Sequence, residues 1–73
     1  MTIKTKDGTT FILSTGHDGK TYLEFGNTAG VITRSPHVTR GHELKIYVCL
    51  FEEDGTLGPE KLITSPSVVD KIN

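Results

Sequence analysis

The chain has 73 residues, a formal net charge of −1 and a single cysteine. Its length allows one small domain, residues 1–73, in which folding buries only about 60% of the surface that the unfolded chain exposes. The near-neutral charge excludes a strong field that would select nucleic acid or a membrane surface, and a lone cysteine excludes an internal disulfide.

Short segments rich in threonine, β-branched and aromatic residues alternate with turn signals along the chain, which is typical of antiparallel strands. Six strands are predicted, at Thr2–Lys6, Thr9–Ser14, Lys20–Phe25, Val31–Arg34, Glu43–Phe51 and Glu60–Thr64. The loop at 26–30 connects the third and fourth of these strands. The predicted fold is an all-β antiparallel meander of five or six strands that curls into a barrel or a roll.

The turn signals are three Asp-Gly pairs, at residues 7–8, 18–19 and 54–55. Each pair lies between β-prone segments, so we expect each to form the tip of a β-hairpin. Asp-Gly suits a type I′ turn, in which both central residues have positive φ. Three such pairs in so short a chain are a strong indication of hairpins.

The fifth predicted strand has the clearest alternation of apolar and polar residues. Its second face is also partly apolar, so we expect it to lie centrally in the sheet. The same alternation predicts the core of the domain. The expected core residues are Ile3, Phe11, Leu13, Leu23, Phe25, Val31, Leu44, Ile46, Val48, Leu50 and Leu62.

The C-terminal segment 65–72 has features of a short helix. Ser65 is a suitable N-cap, and Pro66 suits the first helical position. Val68, Val69 and Ile72 would then share one face. A frayed tail or an additional strand is the alternative for this segment.

The loop at 35–42, with the arginine before it, concentrates the residues best suited to ligand or partner binding. It places Arg34, His37, Arg40 and His42 within nine positions. Arginine makes forked contacts with phosphate or carboxylate, and histidine gains positive charge in mildly acidic solution. These four residues are therefore the predicted ligand- or partner-binding site, and a solvated loop with nothing bound is the alternative.

Metal binding and catalysis have weaker support. His37 and His42, with His17 or Cys49, would be the only metal ligands, and no Cys-x2-Cys pair accompanies them. A free cysteine on a central strand is usually a small buried hydrophobic residue. Nothing beside Cys49 in the sequence indicates the helix N-terminus or cationic surroundings that activate a cysteine as a nucleophile. We therefore predict no catalytic residues, no metal and no cofactor.

Charge and core size bear on association. Residues 1–48 hold six Lys/Arg against four acids, whereas residues 49–73 hold two Lys/Arg against five acids. Ordinary solvated surface explains this distribution, and two opposed patches that favour self-association are the alternative. Because the core is small and the sheet has exposed edges, a homodimer is expected.

The cysteine count and the N-terminal residues favour a cytoplasmic location with no membrane association. Small secreted domains usually contain several cysteines, and the first residues form no apolar signal segment. The predicted function is a non-enzymatic binding module: an accessory, assembly or inhibitor protein that contacts a protein partner through one face or an edge strand. The alternative is a module that binds nucleic acid or a small anion through Arg34–His42.

Overall fold

The computed structural model describes residues 1–73 and consists of six antiparallel strands with no helix. The strands are β1 (Thr2–Thr5), β2 (Thr10–Thr15), β3 (Thr21–Phe25), β4 (Thr28–Ile32), β5 (Glu43–Phe51) and β6 (Leu57–Ile72). Each strand pairs with the next in sequence, and β6 pairs with β1 to close a barrel. The all-β antiparallel prediction is confirmed. No helix long and apolar enough to cross a membrane occurs in the fold.

The three Asp-Gly pairs lie at hairpin tips as predicted, but the turn type differs. At the first tip, the Gly8 N–H donates to the Thr5 carbonyl at 3.0 Å and the Thr5 N–H donates to the Thr9 carbonyl at 3.0 Å. Gly8 has a φ of 90°, whereas no residue other than glycine has positive φ. The type I′ prediction is therefore wrong. The geometry is that of a type I turn followed by a left-handed glycine, which forms a bulge.

The aspartate side chain accounts for this preference. Its carboxylate accepts a hydrogen bond from the backbone N–H two residues further on, with distances of 3.1 Å for Asp7, 3.0 Å for Asp18 and 3.0 Å for Asp54. A side chain that satisfies a backbone donor within the turn stabilises this local conformation. All three tips therefore use the same side-chain-to-backbone contact.

The turn between β3 and β4 is tighter than predicted. Phe25 pairs directly with Thr28, so the loop contains two residues, and Gly26 has a φ of 55°. β4 consequently begins at Thr28 and includes Gly30, which was predicted to lie in a loop. A Cβ on Gly30 would lie 2.5 Å from the backbone oxygen of Cys49. A glycine at this position therefore lets β4 and β5 approach closely in the barrel wall.

The interior of the barrel holds one apolar cluster. Its buried members are Ile3, Phe11, Leu13, Leu23, Leu44, Ile46, Val48 and Val69. Phe25 and Leu50 pack partly against this cluster, and Val31 is half-buried on the outer side of β4. Val69 was missing from the predicted core because its segment was left open between a short helix, a frayed tail and an additional strand. Leu62 was wrongly included: it lies outside the barrel with 47% of its surface exposed.

β6 is a continuous strand of 16 residues, which corrects the predicted end at Thr64. Residues 65–72 are not helical; they are a strand, which was the alternative for this segment, and they continue β6. From Leu57 to Val68 it pairs with β5, and from Val69 to Ile72 it pairs with β1. Register shifts on both ladders let it bend between its two neighbours. One strand therefore extends the β5 hairpin and also closes the barrel.

Candidate functional site

Arg34 lies against the outer side of the β5–β6 pair. Its guanidinium carbon is 4.2 Å from the centre of the Tyr47 ring, and its Nη2 is 3.4 Å from Oε1 of Glu60. The Thr33 hydroxyl donates to the other carboxylate oxygen of Glu60. These exposed contacts add little to stability, but they hold the arginine on the sheet.

Arg40 lies elsewhere and has a different neighbour. Its Nε donates to the backbone carbonyl of Asp70 at 3.0 Å. Beside it, Gly41 donates to the Val69 carbonyl and Val69 donates to the His42 carbonyl, both at 2.8 Å. These bonds fix the end of the loop to β6.

The structure does not bring the two arginines together. Arg34 borders a depression beside Lys20 and Thr33, whereas Arg40 borders others beside Lys6 and Asp70. No depression is lined by both. A single anion gripped by both guanidinium groups therefore has no site in this conformation.

The two loop histidines do share a surface. His37 and His42 line an open depression of about 620 Å³ together with Lys45 of β5. Glu43 is the one acidic side chain on its lining. No three His, Cys, Asp or Glu side chains are grouped closely enough to hold a metal ion.

Cys49 is half-buried on the outer side of β5, rather than in the core. It pairs with Val31 on one side and with Glu60 on the other. It lies four residues along the strand from Lys45, a span of roughly 13 Å, and does not line the histidine depression. The structure does not join the cysteine to the loop histidines as a nucleophile and base.

The hairpin tips perturb three carboxylates. A hydrogen bond from the Thr5 hydroxyl, followed by the Thr9 backbone N–H, holds the pKa of Asp7 below its ordinary value of 3.8. Thr56 has the same effect on the pKa of Asp54. The Tyr22 hydroxyl donates to Asp18 at 2.6 Å, which lowers the pKa of Asp18 and raises that of Tyr22 above 10.0. These groups stabilise turns and are not grouped with other chemically reactive side chains.

One edge of β6 has no partner strand, and we call residues 57–67 of β6 the open edge. β5 pairs with one side of this segment, whereas β1 pairs with β6 only from Val69 onward. The barrel is therefore closed at one end of β6 and open along the remainder. An unpaired edge exposes backbone donors and acceptors to which another strand can add.

The register identifies which backbone groups face outward. Thr33 N–H donates to the Tyr47 carbonyl at 3.0 Å, so the backbone polar groups of Tyr47 point toward β4. Tyr47 pairs with Leu62 across β5 and β6, which makes this a non-hydrogen-bonded pair. The N–H and C=O of Leu62 therefore point to the open side. By the same alternation, those of Glu60 and Thr64 do so as well.

Prolines border this run of free backbone groups at both ends. Pro59 precedes Glu60, and Pro66 follows Thr64 by two residues. Pro66 lies within the register shift between Thr64 and Val68, and it has no N–H to offer to an added strand. The run of backbone donors available to an added strand therefore ends at Thr64.

Apolar side chains cover the outer face beside the open edge. Leu62 lies next to Tyr47, and the exposed pair Phe51 and Leu57 lies nearer the hairpin tip. Exposed large hydrophobic side chains close to unpaired backbone groups favour contact with another chain. Leu62 belongs to this exposed surface and not to the core in which it was predicted, so none of the predicted site residues lies on the open edge.

The local sequence around Leu62 does not determine which face of the strand is buried. Leu62 lies between Lys61 and Ile63, so the alternation in this segment allows either face to be the buried one.

Comparison with protein-family models, with curated proteins and with solved structures finds no match to this chain. Its function is therefore inferred from its own residues.

Proposed function

We propose that this chain is a small, non-enzymatic assembly module that binds an extended protein segment along the open edge of β6. The observation that carries the proposal is the one-sided pairing of residues 57–67, which leaves the backbone groups of Glu60, Leu62 and Thr64 without partners. Addition of a strand to an exposed edge is a common mode of protein recognition.

Both components of the site contribute to such binding. Three edge residues each offer one N–H and one C=O, and a backbone hydrogen bond contributes about 0.5–1.5 kcal/mol net. Leu62 and Tyr47 offer apolar surface on the outer face, where cross-strand contacts add stability and select the partner's side chains. Backbone amides and apolar side chains suit binding rather than the making and breaking of covalent bonds.

The experiment compares the wild-type chain with Thr64→Pro. Proline at position 64 removes an N–H that faces the open side, and the β5–β6 ladder bonds are made by neighbouring residues of the other parity. We expect the variant to lose a partner that the wild-type chain captures from its native host. In the wild-type complex, the Leu62 and Thr64 amides become protected from hydrogen exchange.

Ile12→Lys is the matched control for surface change. Ile12 is an exposed apolar residue on the outer face of β2, but its strand is paired on both sides. The Ile12→Lys variant should still bind the captured partner. Melting curves should show that Ile12→Lys and Thr64→Pro are both folded. Capture that survives Thr64→Pro, or a complex in which the edge amides remain unprotected, would contradict the proposal.

Anion binding remains a second candidate, centred on the histidine depression rather than on the arginines. His37, His42 and Lys45 line one surface with a single acid, Glu43. The test is a titration with inorganic phosphate at pH 6, monitored by amide chemical shifts. Phosphate should shift the amide resonances of His42 and Lys45 in the wild-type chain, and it should shift no amide resonance of this loop in the Lys45→Ala variant. Equal shifts with chloride would exclude a specific anion site.

A further inference from the structure

We infer that the strand which adds to the open edge is β6 of a second copy of this chain, paired antiparallel about a two-fold axis at Leu62. The inference rests on the proposed function and names its partner. A two-fold axis makes an interface from the same surface on both subunits, so the edge must be complementary to itself. Each position of the axis along the edge brings a different set of side chains and backbone groups opposite each other.

Two positions of the axis place like charges opposite each other. An axis at Glu60 sets this carboxylate against its symmetry mate, and an axis at Lys61 sets two ammonium groups against each other. Like charges directly opposite on paired strands are destabilising. Both positions are therefore disfavoured.

Two other positions of the axis bring Pro66 into the central ladder. An axis at Thr64 places Pro66 of the second copy opposite Leu62, and an axis at Ile63 places it opposite Glu60. Proline offers no N–H at the point where its partner presents a carbonyl. Each arrangement loses two hydrogen bonds, one on either side of the axis.

The axis at Leu62 avoids both costs. Leu62 then pairs with Leu62 of the second copy, Glu60 pairs with Thr64, and Lys61 pairs with Ile63. Glu60, Leu62 and Thr64 have free backbone groups, and each now faces a residue of the second copy that also has free backbone groups. The three pairs make two hydrogen bonds each, so the central ladder contains six backbone hydrogen bonds. No like charges are opposed, and Pro66 lies at the margin, opposite Gly58.

This register also covers the exposed apolar side chain. Tyr47 and Leu62 are neighbours on the outer face, so the symmetric pair forms a row of Tyr47, Leu62, Leu62 and Tyr47 across four strands. Lys45 pairs with Thr64, and Thr64 faces Glu60 of the second copy, so Lys45 lies two strands away from that carboxylate on the same outer face. The row buries leucine against leucine at its centre, and opposite charges occupy its flanks.

The first test is sedimentation of Leu62→Lys beside the matched control Ile12→Lys. Lysine at position 62 would face its symmetry mate directly, so the dimer dissociation constant should rise by about tenfold or more. Ile12→Lys adds the same charge to a similarly exposed position, with 42% of Ile12 exposed, and should leave the constant unchanged within about threefold. Equal effects of the two substitutions would overturn the inference.

Cysteine cross-linking tests the register, in a Cys49→Ser background with copper phenanthroline and oxygen as the oxidant. Residues of a hydrogen-bonded antiparallel pair have Cα atoms about 5.5 Å apart, within disulfide reach. Leu62→Cys should therefore cross-link with itself, whereas Glu60→Cys should cross-link with Thr64→Cys and neither with itself. Preferential self-cross-linking of Thr64→Cys or Glu60→Cys would overturn the axis at Leu62.

The outcomes separate this inference from the proposed function. A chain that remains monomeric at high concentration, and yet protects its edge amides when a captured protein binds, would overturn self-pairing and retain edge binding. A dimer unaffected by both Leu62→Lys and Thr64→Pro would overturn self-pairing along the edge. If Thr64→Pro also retained a captured partner, the proposed function would be contradicted as well.

Discussion

The Ser65 hydroxyl accepts a hydrogen bond from the backbone N–H of Leu44 at 2.7 Å, across β5 and β6. The same hydroxyl donates to the Ser67 carbonyl at 2.7 Å, and 3% of Ser65 is exposed. This contact lies where the register of the two strands shifts between Glu43 and Lys45. A side chain thus satisfies a buried backbone donor at the irregularity, and β6 continues past Pro66 to reach β1.

Replacing Ser65 with alanine should leave the Leu44 N–H buried without a partner. We expect the free energy of unfolding to fall by about 1–3 kcal/mol, the cost of an unsatisfied buried polar group. Urea denaturation measures the change. Ser67→Ala is the control because the Ser67 backbone carbonyl, rather than its hydroxyl, makes the contact. Equal stability of Ser65→Ala and Ser67→Ala would show that the hydroxyl is not required.

Replacing Gly30 with alanine should push β4 away from β5. The new Cβ would lie 2.5 Å from the Cys49 carbonyl oxygen and 2.8 Å from Cγ2 of Val48, in a fully packed wall. We expect a loss of about 1–3 kcal/mol in thermal or urea unfolding, which is the usual range for overpacking.

The matched control for this prediction is Gly58→Ala. There the new Cβ would meet the flexible end of the Glu52 side chain, which can move away. Its loss should therefore be clearly smaller than that of Gly30→Ala. A Gly30→Ala variant as stable as Gly58→Ala would mean that the two strands do not need their close approach.

The three aspartates at the hairpin tips should make the fold less stable in acid. Hydrogen bonds from threonine or tyrosine hydroxyls and from backbone N–H groups lower the pKa of Asp7, Asp18 and Asp54 below 3.8. A carboxyl whose pKa is lower in the folded state stabilises the fold above its unfolded pKa, and this contribution is lost as pH falls through the folded pKa.

Melting temperatures between pH 6 and pH 2 measure this effect. The melting temperature of the wild-type chain should decrease as the pH is lowered below about 4. The melting temperature of the triple variant, with asparagine at all three tips, should decrease less over the same pH interval. Asparagine can still accept the turn hydrogen bond, so the variant should remain folded. An unchanged pH dependence in the triple variant would contradict the assignment.

Local signals in the sequence were sufficient for most of the fold. The Asp-Gly pairs located three hairpin tips, and the alternation in Glu43–Phe51 gave the bounds of β5. The Gly-rich segment before Val31 concealed the start of β4, because a glycine required for close packing resembles a glycine in a loop. Ser65-Pro66 suggested a helix cap, whereas the serine satisfies a donor on another strand.

The candidate site could not be found from local patterns. β6 has one neighbouring strand at Leu62 because β1 ends at Thr5, and Thr5 is 57 residues away from Leu62 along the chain. The charged loop is evident in the sequence, but Arg34 and Arg40 contact different parts of the fold: Arg34 contacts Tyr47 and Glu60, whereas Arg40 contacts Asp70. The exposed side of β6 follows only from the complete register of the sheet.

Hydrogen exchange at single amides of β6, measured as a function of protein concentration, tests the central claim most directly. Lys61 and Ile63 donate to β5, so their amides should be protected at every concentration. Glu60, Leu62 and Thr64 face the open side, so their amides should exchange rapidly in dilute protein and become protected as copies associate. Protection of the Leu62 amide in the dilute monomer would contradict the open edge, and rapid exchange at high concentration would contradict self-pairing along it.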